Sequence, residues 1–276
     1  MTKMIHTFFA PLLMILMLIG ACESLPHKYV EAPFTALDTL STNDWWNRKT
    51  TKIIDLKVPR DQVIAFGIYT TSKNTLKLSA QLFPLYPEET RTVRLELFQN
   101  NQWEQIQTQE INEIGWSTLF RIEDWDRSKS VKYRLLHGEN AQFEGTIRKD
   151  PKDKNEITLA ALSCNSNKDR GDREKYVKNI NTLNPDLVFF AGDQSYDHKE
   201  HTAAWLKFGM QFREVFRNRP CITIPDDHDI GQGNLWGEGG KKSMGPHGND
   251  GGYFFHPEYV KMVERAPNRS FARRLS

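Results

Sequence analysis

Two patterning regimes in one chain predict an all-β sandwich followed by an α/β unit. Over 51–149, apolar and polar residues alternate with period two, and turn-forming residues interrupt them at short intervals. After 150 the apolar residues gather into short unbroken runs separated by two stretches of helical period. A third observation concerns placement: acids, a thiol, a phenol and an imidazole collect immediately after the unbroken runs.

In chain order, the first element is a leader. Lys3 and His6 precede an almost wholly apolar run from Phe8 to Ile19, too short for a comfortable bilayer span and suited to the core of a signal peptide. It ends in Ile19-Gly20-Ala21-Cys22, which resembles the bacterial lipobox. That motif implies a signal peptide over 1–22, acylation of Cys22, and export to the periplasmic or cell-surface side of a membrane. Each buried methylene of an acyl chain contributes roughly 0.8 kcal/mol of membrane binding. Residues 23–50 then form a tether. The charges nearly cancel, with 37 Lys and Arg against 35 Asp and Glu, so the chain carries no electrostatic footprint for nucleic acid. A monomer is expected.

Residues 51–149 form the sandwich. Leu76, Leu78, Ala80 and Leu82 alternate with polar neighbours, as do Val93, Leu95 and Leu97, and Val131, Tyr133 and Leu135. Each such strand has one wet face. Turn signals stand at Ser72-Lys73-Asn74, Pro84 to Pro87, Asn100-Asn101 and Gly138-Glu139-Asn140. About seven short strands at this spacing fit an immunoglobulin or fibronectin type of sandwich. No chemistry is legible in it.

A charged linker, Asp150 to Lys154, opens the second unit, over 150–256. Ile157 to Leu162 reads as a strand covered on both faces. A helix capped near Asp172 carries Tyr176, Val177, Ile180 and Leu183 and stops at Asn184-Pro185. Leu187 to Ala191 is a second strand. A helix over roughly 202–217 aligns Trp205, Phe208, Phe212 and Phe216, and Cys221 to Pro225 is a third strand. This is a βαβαβ unit with a parallel sheet. Its ligands belong outside the carboxyl ends of the strands. His201 reads as a surface residue at a helix start. With Cys22 set aside, Cys164 ends one strand and Cys221 begins another. About 15 Å of strand separates them, against a bridging limit of about 7 Å, so Cys164 is expected as a free thiol.

The three strands end in Ser163-Cys164-Asn165, in Gly192 to His198, and in Asp226-Asp227-His228-Asp229. If the strands are neighbours, Cys164, Asp193 and Asp227 converge, since adjacent strands lie about 4.8 Å apart. Acids and a thiol so packed repel one another unless a cation compensates. The expectation is a metal site, with two ions able to clamp a phosphate and activate a water. Beyond it, a glycine-rich loop from Gly231 to Gly252 carries Asn234, Trp236, Lys241 and Lys242, suited to contact an anionic substrate.

Gly192-Asp193 with Tyr196, then Asp226-Asp227-His228-Asp229 and Gly231-Gln232-Gly233-Asn234, resembles the PhoD-like alkaline phosphatases and phosphodiesterases of the calcineurin-like metallophosphatase superfamily. The resemblance covers roughly 60–255. It implies that Cys164, Asp193, Tyr196 and Asp227 are metal ligands, with Asp193 bridging and Tyr196 giving a phenolate to ferric iron. It implies that His228 contacts phosphate or acts as the acid, that Asp229 orients His228, and that the metals are iron with calcium or another divalent ion. The substrate it implies is a phosphate ester, hydrolysed by a metal-activated water. The superfamily completes its site with histidines from a second half of the sheet, and nothing of that kind follows 256. A short helix, Glu258 to Arg265, precedes a basic tail, so 257–276 reads as the end of a truncated or frameshifted first half. The other reading therefore stays open: a membrane-anchored binding lipoprotein whose phosphatase half is incomplete and inert.

Overall fold

A computed structural model of the chain describes residues 53–86, 88–166, 171–196, 201–230 and 257–268. The expectations for the leader, Cys22, the tether, Asn234, Trp236, Lys241 and Lys242 fall outside the described residues. No helix among the described residues is long and apolar enough to cross a membrane.

A 3-10 turn at Arg60–Gln62 leads into seven antiparallel strands: β1 (Ile64–Ser72), β2 (Thr75–Leu82), β3 (Thr92–Gln99), β4 (Gln102–Glu110), β5 (Ser117–Ile122), β6 (Val131–His137) and β7 (Ala141–Ile147). They form a sheet of order β1-β2-β5 and a sheet of order β4-β3-β6-β7. Two-residue hairpins at Lys73-Asn74 and Asn100-Asn101 put all four residues at positive φ, between 48° and 64°. Such turns match the strand twist, and Asn tolerates the conformation better than most residues.

The expectation of one wet face holds for β3, whose burial alternates, and fails for the end of β2, buried without interruption from Leu78 to Leu82; β1 is likewise buried from Ile64 to Thr70. Its Gly67 and Tyr69 face the second sheet, with Leu135 and Phe143 against Gly67 and Tyr133 against Tyr69. Its Phe66 points the other way, into the rings of Trp205 and Phe216 at 5.7 and 5.6 Å. β1 is thus a wall shared with the α/β unit.

That unit comprises β8 (Leu159–Leu162), α1 (Arg173–Leu183), β9 (Leu187–Ala191), α2 (His201–Gln211), α3 (Arg213–Phe216) and β10 (Cys221–Ile224), followed by α4 (Pro257–Asn268). The three strands are parallel, in the order β10-β9-β8. Asp172 caps α1 by accepting the Lys175 N–H at 3.2 Å, and Asn184 ends it in a left-handed conformation. The expected long second helix is broken at Phe212 into α2 and α3. Phe190 of β9 sits against Phe208, Phe212 and Phe216 at 5.0, 5.0 and 5.7 Å. These rings also hold Phe66, so one aromatic cluster fixes the central parallel strand to the sandwich.

The expectation that the parallel strands are covered on both faces is corrected. Along β9 and β10, buried residues alternate with partly open ones. Leu159 is 53% exposed and Ile157 58%. One sheet face packs on the aromatic helices, and the other lies open among the described residues. The charged linker is not free either: Asp150 binds the Arg127 guanidinium at 2.6 Å and the Thr71 hydroxyl at 3.1 Å.

Candidate metal centre

Parallel pairing with β9 in the middle puts all three strand ends on one edge, and the backbone there is unusual. Cys164, Gly192 and Asp193 all have positive φ, at 58°, 83° and 54°. Non-glycine residues held so cost of order 1 kcal/mol or more each, and such conformations cluster at functional sites. Gly192 is needed for a second reason: a Cβ there would lie 2.5 Å from Asp226 Cβ. The bare backbone lets the β9 end close on the β10 end.

Polar side chains stitch the three loops together. The Asn165 amide N–H donates to the Asp193 carbonyl at 2.8 Å, and the Asn165 side chain donates to the Gln194 carbonyl at 3.2 Å. The Gln194 side chain donates to the Ile224 carbonyl at 2.9 Å. Asp229 is buried, and its carboxylate accepts from the Ser195 and Asp226 N–H groups at 3.1 and 3.0 Å. These two bonds clasp β9's loop to β10's. Asn165 and Gln194 are the contributors that sequence reasoning passed over; their only signal is adjacency to the ligand candidates.

On this frame, Asp193, Asp227 and His228 each present a ligand atom, all within 4.8 Å of one another. His228 Nε2 is 4.0 Å from Asp227 Oδ2, and its ring lies 4.2 Å from that of Tyr196. The Tyr196 hydroxyl donates to Asp193 Oδ2 at 3.0 Å, and the Cys164 thiol is 3.6 Å from the same oxygen. Cys164, an exposed free cysteine, and Tyr196 therefore join the group through Asp193. Burial first, then the bonds to Cys164 and Asp193, hold the Tyr196 phenol well above its ordinary value. Cys221 is buried and also free, as expected.

A cation fits these residues. Asp193 is buried, and its Oδ1 has no hydrogen-bond partner. A buried carboxylate oxygen left unpaired is costly, and a cation is the partner that removes that cost. Carboxylate and imidazole donors suit calcium-like, zinc-like or iron-like ions, and a thiolate favours the softer ones.

His201 is corrected from surface to core: it is 5% exposed and stacks on Trp205. Burial pushes its imidazole down to about 4, against a bond to the Asp229 main chain that raises it. Burial likewise pushes the Asp229 carboxyl up to about 7, partly offset by its N–H donors. The two contributions to stability run oppositely. The folded state favours the protonated form of Asp229, so that contribution is present in acid and lost as pH rises through about 7. The folded state favours neutral His201, so that contribution is present above the ordinary imidazole value of 6.5 and lost as pH falls toward 4. In the metal-free protein they oppose each other between these limits. Exchange of His201 for Gln should leave the Asp229 contribution uncovered, so that thermal stability rises on acidification from about pH 7 to 5. Unfolding midpoints in chelator across that range test this, and a flat or falling profile in the variant would exclude it.

No protein-family profile and no curated protein sequence matches the chain. The fold resembles that of two solved phosphatase structures. A solved structure of PhoD superimposes with a TM-score of 0.58 at 14% identity, over 80% of this chain and 48% of that one. Purple acid phosphatase PPD1 from yellow lupin (Lupinus luteus) seeds superimposes with a TM-score of 0.51 at 12% identity, over 75% and 40%. At such identities the likeness is one of fold. The chain spans about half the length of either structure or less.

Proposed function

We propose that the chain is an exported, metal-dependent phosphoesterase of the PhoD-like kind, hydrolysing phosphate monoesters or diesters and held to a membrane through Cys22. The observation that carries this reading is the meeting of Asp193, Asp227 and His228 ligand atoms within 4.8 Å, with one buried oxygen of Asp193 left without a hydrogen-bond partner. The fold it shares with two phosphatases supports it.

In this reading Asp193 and Asp227 hold the cation, with His228, Cys164 and Tyr196 as further donors; iron with calcium, or another divalent ion, is the proposed filling. When bound, such an ion polarises the phosphoryl group and offsets the charge that develops on its oxygens. The protein's own residues do the rest. Asp193 fixes Tyr196 and Cys164 around one oxygen. Tyr196 lies against the imidazole of His228 and limits its tilt. His228, with Nε2 4.0 Å from Asp227 Oδ2, is placed to give a proton to the departing ester oxygen. Asp229 and Gln194 keep the loops closed so that these groups keep their spacing.

Metal analysis and turnover of p-nitrophenyl phosphate and its bis ester test the proposal. The expected result is a coloured iron protein, active on at least one ester, whose absorption band and activity both fall in Tyr196→Phe. A second reading, an anchored binding protein with an inert phosphatase half, is favoured by the size of the donor group. Three close ligand atoms among the described residues suffice for one ion, and a clamp of two needs more. A colourless, metal-free protein without turnover would decide for it.

A further inference from the structure

At the opposite end of the parallel strands lies a cavity of about 730 Å³, between the end of β7, the C-terminus of α1 and the turn into β10. Four basic residues line it: Arg148, Lys149, Lys154 and Arg219. Two of them are neutralised. Lys149 pairs with Asp153 at 3.3 Å, and Lys154 pairs with Asp186. The third acid of the cavity, Glu214, pairs with Arg217 at 2.9 Å.

Arg148 and Arg219 are left without a carboxylate at ion-pair distance among the described residues. Both donate to one neutral oxygen, Asn184 Oδ1, at 2.8 and 3.3 Å. Their remaining acceptors are neutral too: the Pro185 carbonyl for Arg148, and the side chain and carbonyl of Asn181 for Arg219. Arg219 is 5% exposed, and its Nε has no hydrogen-bond partner. Asp186 of the same cavity also acts on Arg148 through its charge, but it is paired with Lys154, and the α1 C-terminus adds only roughly half a negative charge, too little to balance two guanidinium groups. Burial, with the Arg148 charge added, holds the Arg219 guanidinium below its ordinary value.

Two adjacent guanidinium groups whose present acceptors are all neutral, in a cavity that Ser130 and Thr146 also line, suit an oxyanion with several acceptor oxygens. We propose that Arg148 and Arg219 form an oxyanion site, distinct from the metal centre, that takes a phosphate-class dianion. The site requires nothing of the metal centre: Asp186 and Arg219 stand before the first residues of β9 and β10, whereas Asp193 and Asp227 stand after their last.

The test uses inorganic phosphate as probe and Asp193→Asn protein in chelator, so that the metal centre takes no part. Calorimetric titration should give one phosphate per chain. Arg148→Met, at a half-buried position whose loss leaves Arg219 in place, should weaken binding about tenfold or more. Arg148→Lys, which keeps the charge and loses the fork, should fall between. No binding at about 10 mM phosphate, or an affinity unchanged by Arg148→Met in protein that melts like its parent, would overturn the proposal.

Discussion

Asp193→Asn should empty the metal centre and leave the fold standing. The exchange is nearly isosteric, but it removes the charge from the residue where the site converges. Oδ2 meets Tyr196 and Cys164, Oδ1 is buried without a hydrogen-bond partner, and the carboxylate lies within reach of Asp227 and His228. The expected result is metal content at background and ester hydrolysis reduced about 10³-fold or more, the scale of losing several kcal/mol of charge stabilisation. The metal-free variant should be at least as stable as the metal-free parent, because a buried unpaired carboxylate is disfavoured and its amide is less so. Metal analysis, initial rates and melting curves in chelator separate the two claims. A variant that keeps its metal removes Asp193 from the ligand set. A metal-free variant that melts far below its parent makes the residue structural.

The sequence carried the positions of the strands and of the chemistry further than it carried their surroundings. Alternation at Val93, Leu95 and Leu97 marks β3 because a half-buried strand writes its two faces into period two. Asn100-Asn101 marks a hairpin because few residues tolerate positive φ. The three strand-end clusters were legible as one edge because parallel strands all end on the same side. Unbroken apolar runs are more ambiguous. Ile157 to Leu162 reads as a strand covered on both faces, yet Ile157 and Leu159 lie exposed, since the residues that would cover a strand lie elsewhere in the chain. His201 was misplaced for the same reason: its burial comes from Trp205 and the β10 loop. The clasp that Asp229 makes was not legible, because the main-chain amides that it accepts from, at Ser195 and Asp226, carry no mark in the sequence.

The largest effect on stability is expected far from any ligand, at Gly209→Ala. In an exposed helix this exchange would gain about 1 kcal/mol. In α2 a Cβ at 209 would lie 1.7 Å from Phe66 Cε1 and 2.2 Å from Cζ. The ring has little room to retreat: Phe66 is 1% exposed and wedged between Trp205 and Phe216. Overpacking a filled core costs about 1–3 kcal/mol beyond any propensity gain, so the net change is destabilising, with a midpoint lowered by about 5 °C or more. Phe66→Leu should be destabilising alone, yet less so when combined with Gly209→Ala, because the smaller side chain makes room for the new methyl. Below the transition, metal content should match the parent, since the cluster fixes β9 through Phe190 and does not reach Asp193 itself. This outcome is the mirror image of Asp193→Asn: stability lost with metal retained, against metal lost with stability retained. If Gly209→Ala melts at or above the parent temperature, α2 does not press on β1 as described, and the aromatic cluster is not what joins the two layers.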